Sequence, residues 1–475
     1  MNESKHPVER FFKKTTKYHY YFFTLLFLTK IPIFWHILSL IFISPPMNYD
    51  CGGENGTNKC PCDNPNWDKS VFTKTIQIKY GIYCDTQWML SFIQSMLYVG
   101  SLFGALIFGI LADKYGRLSM FMMTCLIISV SGVLAAYMST APTFIAMRCI
   151  EGAGIGGAIV TSYVLLVEYC GLGYREMVTA LYHVPINVSH MTLAGVSYLI
   201  RDSDILQLAI SLPVFLCLAL WCMIMESPKW LLDENKLDKA SAILEKIAKF
   251  NNTPTENIRR ELEIYATAQA NLQLEKISFW HIFYHRRMTI NFFCMAFIYF
   301  VCGMGYYGVS QYIGHMSGNI HANVALSGAL LIPGTLIATY LLQKFGRRSF
   351  LMVTNFLSGT FMIIVILIPE SANVARILTA CMGCTFFFMS FIIVFLYGVE
   401  LFPTAIRNSV LGILSVMSRV GQIVAPPINS LPPIVSGATF GLLAIIGGFL
   451  CIFLPETKNT ELPSTLEETT NLPRN

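Results

Sequence analysis

Apolar runs of about twenty residues alternate with short polar segments along most of this chain. A helix needs roughly twenty residues to cross a hydrocarbon core of about 30 Å at about 1.5 Å per residue. Twelve such runs are read, near 21–44, 88–112, 119–140, 143–167, 177–199, 206–225, 288–311, 323–343, 349–369, 376–399, 408–430 and 434–454. The pattern predicts an all-α membrane protein of twelve transmembrane helices. The first run is long enough to be a retained span rather than a cleaved leader.

The short loops sort by charge. One set carries Lys114, Arg117, Arg175, Lys344, Arg347, Arg348 and Arg407, whereas the other carries Arg201 and Arg376. Basic short loops stay in the cytoplasm, so the first set and both termini are expected there. The expected organisation is a cytoplasmic N-terminus (1–20), six spans (21–225) with an outer loop (45–87), a cytoplasmic linker (226–287), six more spans (288–454) and a cytoplasmic tail (455–475). Composition agrees: 54% of residues are hydrophobic and 13% charged, against about a quarter charged in soluble proteins. The net charge of +5 lies in short loops and marks orientation, not a nucleic-acid partner.

Two long segments interrupt the rhythm. The outer loop holds Cys51, Cys60, Cys62 and Cys84, which read as two disulfides with three possible pairings, and a glycan acceptor at Asn55 in Asn55-Gly-Thr57. Plasma-membrane residence is expected from that loop. The linker holds ENKLDKASAILEKIAKF and TENIRRELEIYATAQANLQLEKI, both with helical apolar spacing and a charged opposite face. GAGIGG, from Gly152, lies in an apolar helix, where small residues permit close helix packing. No phosphate loop, nucleophile–base pair or metal-ligand spacing stands out, so neither enzyme chemistry, a metal nor a cofactor is expected.

The eleventh run, LGILSVMSRVGQIVAPPI, carries Arg419 near its centre. Twelve residues separate it from Arg407, about 18 Å of helix. A guanidinium at that depth is a functional-site candidate unless a structural partner neutralises it.

The halves repeat. GILADKYGR (109–117) follows the second run and YLLQKFGRR (340–348) follows the eighth. Gly116 and Gly346 suit tight turns, and Asp113 can accept from an arginine or a helix N-terminus as a gate latch across the halves. With these stand RCIEGAGIGG, VEYCGLGYRE, ESPKWLL, YGVELFPTAIRN, PETK and the segment YGIYCDTQWMLSFIQSMLYVGSLFGALIFG. In that combination, which covers essentially the whole chain, the sequence resembles the major facilitator superfamily and, within it, the organic cation, organic anion and carnitine transporters.

The resemblance implies two six-helix bundles rocking about one central cavity. It implies gating charges at Asp113, Arg117, Glu168, Arg175, Glu226, Arg347, Glu400 and Arg407. Arg419 falls where anion and carnitine carriers of that family have an arginine and cation carriers an acid. Tyr306, Tyr307, Tyr163, Phe391 and Ser415 match cavity positions. Two departures stand out: residues 331–335 and Cys384 are uncharged where anion carriers add cations, and Ile37 replaces a frequent Asn. Arg419 for a carboxylate and aromatic faces for an ammonium would suit a monoanion or a carnitine-like zwitterion. His36, His183 and His190 lie within spans and bring proton carriage into view, with His190 counted among the cavity residues. The expected partners are a small organic ion, a coupling ion (sodium or proton) and the bilayer. Two other readings stay open: an organic cation carrier with a structural Arg419, and a receptor-like protein that no longer transports.

Overall fold

A computed structural model of the protein describes residues 6–51, 58, 60, 62, 64–171, 173–255, 257–270 and 279–458. The Asn55 acceptor site, residues 271–278 of the linker and the tail from 459 lie outside the described residues. Ten helices among the described residues are long and apolar enough to cross a membrane. They are the first four spans (Lys17–Leu38, Trp88–Tyr115, Arg117–Tyr137, Ala141–Glu168) and the last six (Arg286–Gly314, Ile320–Lys344, Arg347–Leu367, Asn373–Leu401, Thr404–Asn429, Pro433–Leu450).

The fifth and sixth spans are less regular, and prolines account for it. Pro185 offers no amide hydrogen, so the fifth span breaks into Arg175–Leu181 and Val184–Leu199. The sixth, Ser203–Leu216, contains Pro213 and tightens into a 3-10 turn, Cys217–Cys222. The first span begins at Lys17, before the expected residue 21. Thr16 Oγ1 and His19 Nδ1 lie 2.7 Å apart at its start, and Tyr18 and Phe22 pack on Tyr169 at the end of the fourth span.

Gly100 and Gly104 of the second span pack on the backbone at Cys149 and Ala153 of the fourth, and Gly152 and Gly156 on the backbone at Leu97 and Ser101 of the second. A Cβ at any of the four would strike the opposing backbone, which explains the small residues of GAGIGG. The two bundles meet along two seams, second span against eleventh and fifth against eighth. Ser95 donates to the Ile423 carbonyl (2.9 Å), Asn187 donates to the Leu331 carbonyl (3.1 Å) and Thr335 Oγ1 (2.8 Å), and Ser197 lies 3.3 Å from His321. Asn187 is buried there.

At one end of the bundle lies the long loop. Cys51 bonds to Cys62 and Cys60 to Cys84. A two-residue antiparallel pairing, Tyr49–Asp50 with Asn66–Trp67, sits between them. Lys74 (2.5 Å) and Lys79 (2.8 Å) bind Asp204, which ties the loop to the start of the sixth span. At the opposite, charged end the linker forms helices Pro228–Asp233, Leu237–Asn251 and Ile258–Ala270. Arg175 and Lys229 both donate to Glu9 at 2.8 Å, and Trp230 donates to the Asp113 carbonyl at 2.7 Å, so N-terminus, linker and second span are joined there.

The two repeated turns differ. Gly116 has φ +107, a conformation that L side chains rarely adopt. Gly346 has φ −67. A carboxylate approaches both turns closely, Glu226 at Gly116 and Glu456 at Gly346, and at Gly346 that approach is the reason for glycine without a positive φ.

Candidate substrate cavity

Between the bundles, at mid-depth, lies a cavity of about 180 Å³. The eleventh span lines it with Ser415, Ser418, Arg419 and Gln422, which share one helical face. Arg419 is 8% exposed and donates to Ser101 Oγ of the second span at 2.6 Å. No carboxylate pairs with it among the described residues. A structural arginine in this protein looks different. Arg148 is fully buried inside the fourth span and donates to Glu151 (3.1 Å), Ser39 (3.3 Å) and the His36 carbonyl (3.3 Å). Glu151 also accepts from Gln207 (3.1 Å) and contacts His36, so that cluster is internally neutralised.

Aromatic side chains form the walls. Tyr307, Tyr163 and Phe391 line the cavity, as do Tyr98, Tyr182 and His183, which the sequence reading did not single out as cavity residues. Tyr307 meets Tyr98 edge-on across the halves, with centroids 5.7 Å apart, and His183 meets Phe391 at 6.0 Å. Tyr306 and His190 stand one layer back. The Tyr306 ring packs on Phe388 (4.7 Å), Tyr307 (4.8 Å) and His190 (6.1 Å), and its buried hydroxyl has no hydrogen-bond partner among the described residues. Helical spacing would have flagged Tyr98 and Ser101, which face the cavity from one side of the second span.

The predicted gating charges gather at the charged end in two similar clusters. In the first half, Arg117 donates to Asp113 (2.5 Å) and Glu168 (3.2 Å), while Glu226 accepts from the amides of Leu118 (3.0 Å) and Ser119 (3.4 Å). In the second, Arg347 donates to both oxygens of Glu400 (3.1 Å each), and Glu456 accepts from the Arg347 amide (2.7 Å). Each carboxylate thus sits on a helix N-terminus, where amides and dipole favour negative charge. Glu456 lies within PETK, to which the sequence alone assigns no role. Its equivalence to Glu226 of ESPK is the signal that would have found it. Among the described residues no ion pair joins the halves, so the latch expected from Asp113 is an internal pair here. Arg175 pairs with Glu9 (2.8 Å), and Arg407 donates to the Phe402 carbonyl (3.0 Å).

A second cavity, about 410 Å³, opens at the loop end and is lined by Ser44, Gln77, Gln94, Gln311, Asn429 and neighbours. It carries no charged side chain.

The sugar (and other) transporter family matches residues 47–468. The chain is 31% identical over 429 residues to the organic cation transporter protein of Drosophila melanogaster, covering 86% of this chain and 76% of the relative. It is 29% identical over 424 residues to solute carrier family 22 member 1 of Oryctolagus cuniculus, covering 87% and 75%. The inward-open xylose transporter of E. coli superposes with a TM-score of 0.70 at 17% identity, covering 94% of this chain and 98% of that one.

Proposed function

The chain belongs to the sugar (and other) transporter family of the major facilitator superfamily, and within it to the organic cation, organic anion and carnitine transporters, and from that premise we propose that it carries small organic anions or zwitterions by alternating access. Its family makes it a multi-pass membrane transporter of a small molecule, not an enzyme. The finer reading rests on one observation: Arg419 lies buried on the cavity wall with a hydroxyl and, among the described residues, no carboxylate for company. A guanidinium at a helix centre at lipid depth costs about 3 kcal/mol. A substrate carboxylate in the cavity offsets that cost with charge-assisted hydrogen bonds. The aromatic walls add a face for an ammonium, worth about 0.5–2 kcal/mol per ring, which is why zwitterions are included.

In this reading the two charge clusters brace each bundle from within. The bundles then rock as units about the seams at the second and eleventh, and fifth and eighth, spans. The disulfide loop faces outside at the plasma membrane, and both termini face the cytoplasm. The loop cysteines and the basic short loops support that orientation.

A second reading has its own support, because the Drosophila relative is named for organic cations. Uptake in expressing cells separates the two. Benzoate, carnitine and a tetraalkylammonium salt are compared, each with and without a sodium gradient. The proposal expects benzoate or carnitine to accumulate above mock-transfected cells. Accumulation of the tetraalkylammonium alone establishes the cation reading instead.

A further inference from the structure

Away from helix ends, the spans carry four residues with ordinary charge at neutral pH: Lys30, Arg148, Glu151 and Arg419. Arg148 and Glu151 neutralise each other. Two cations remain, one in each half. Lys30 lies on the first span, 2% exposed, about 20 Å of helix from Lys17. Among the described residues no carboxylate pairs with it. Its ammonium donates to the Tyr182 carbonyl at 3.0 Å and sits over the Tyr182 ring.

That carbonyl is free because of the break in the fifth span. The Ile186 amide, which would bind it in a continuous helix, turns to the His183 carbonyl at 3.1 Å. Tyr182 and His183 both line the cavity that Arg419 lines. Lys30 therefore stands one side chain behind the wall, with a single carbonyl serving its three donors. The Tyr182 ring that covers it is held on the cavity side by its hydroxyl, at 2.7 Å to Ser162 Oγ and 3.0 Å to the Ile159 carbonyl, and by the edge-on Tyr163 ring with centroids 5.3 Å apart.

We propose that Lys30 is the second cation of the cavity, supplied by the first half where Arg419 is supplied by the second, and that the favoured substrate is an organic anion with two separated acidic groups. This rests on the reading of the cavity as an anion site and narrows it. One acid binds Arg419, and the other reaches the Tyr182–His183 break and draws the ammonium to it as the ring turns aside. A bridging dianion satisfies both cations and spans the bundles that must move against each other. A lone cation invites a monoanion, whereas two cations in opposite walls leave a monoanion with one charge uncompensated.

The test is uptake of succinate and adipate against their monomethyl esters, in cells expressing the full chain at matched surface level. Wild type should take the better-fitting dianion over its monoester by about tenfold, the ratio one charge-assisted contact supports. Lys30→Met should bring that ratio close to unity while monoester uptake persists through Arg419, and Lys30→Arg should keep the preference. An unchanged ratio in Lys30→Met overturns the proposal and leaves Lys30 as a cap for the broken helix. If Lys30→Met does not reach the surface, the wild-type ratio and Lys30→Arg decide. Wild-type uptake of the monoesters without preference for either dianion overturns this proposal and leaves the anion reading standing. Uptake of a tetraalkylammonium and of none of these acids overturns both.

Discussion

Ser101 is the only hydrogen-bond partner Arg419 has among the described residues, so this hydroxyl is where the charge of the site can be edited with least disturbance. Ser101→Asp places a carboxylate beside the guanidinium. Benzoate uptake is expected to fall by about tenfold or more, because the introduced acid takes the contacts that a substrate would take. Ser101→Ala should leave uptake near wild type, and uptake kinetics at equal surface expression read both. Tyr306→Phe makes the opposite point. The buried Tyr306 hydroxyl has no partner among the described residues, and leaving such a group unsatisfied costs about 1–3 kcal/mol. The variant should transport normally with an equal or higher unfolding temperature, and a raised KM would instead place that hydroxyl in the site. Residue type and position together made Arg419 legible in the sequence, since it is a lone cation in a long apolar run. Which face a side chain takes was not legible. Tyr306 held a motif position and His190 stood within a span, yet helix packing turns both away from the cavity wall. Lys30 was overlooked because it follows a basic, aromatic segment and stands between apolar residues with no motif around it.

Helices as units were readable from apolar runs, and their ends were not. The break at Tyr182 needed Pro185 to be weighed against the lost amide, and the early start at Lys17 needed the packing of Tyr18 and Phe22 on Tyr169. The repeated turns show the same limit. One sequence signature, Gly then Arg, hides two physical causes. Gly116→Ala forces φ +107 on a side chain, a strain of about 1–3 kcal/mol, and should lower the unfolding temperature whatever stands at Glu226. Gly346→Ala should be damaging with Glu456 present and milder in the Glu456→Ala background, because contact with that carboxylate is its only objection. Thermal unfolding of the detergent-purified variants checks both. Equal penalties at Gly346 in the two backgrounds would show that the turn itself requires glycine.

For the molecule as a whole, the repeat of loop motifs foretold two bundles, and the matched clusters Arg117–Glu168–Glu226 and Arg347–Glu400–Glu456 are its physical content. The pairing of four loop cysteines was beyond sequence, since spacing allowed three solutions. If the loop faces outside with Cys51–Cys62 and Cys60–Cys84 formed, a membrane-impermeant maleimide added to intact cells should label these cysteines only after reduction, while an epitope at either terminus should need permeabilisation. Labelling without reduction would contradict the loop as described. The central claim is that an unpaired guanidinium sets the substrate's charge. Its most direct test is paired uptake of benzoate and benzylamine, similar in shape and opposite in charge, by wild type and Arg419→Glu at equal surface density. The account predicts that wild type favours benzoate and that Arg419→Glu loses it while benzylammonium gains; wild-type preference for benzylammonium, unchanged in Arg419→Glu, would contradict it.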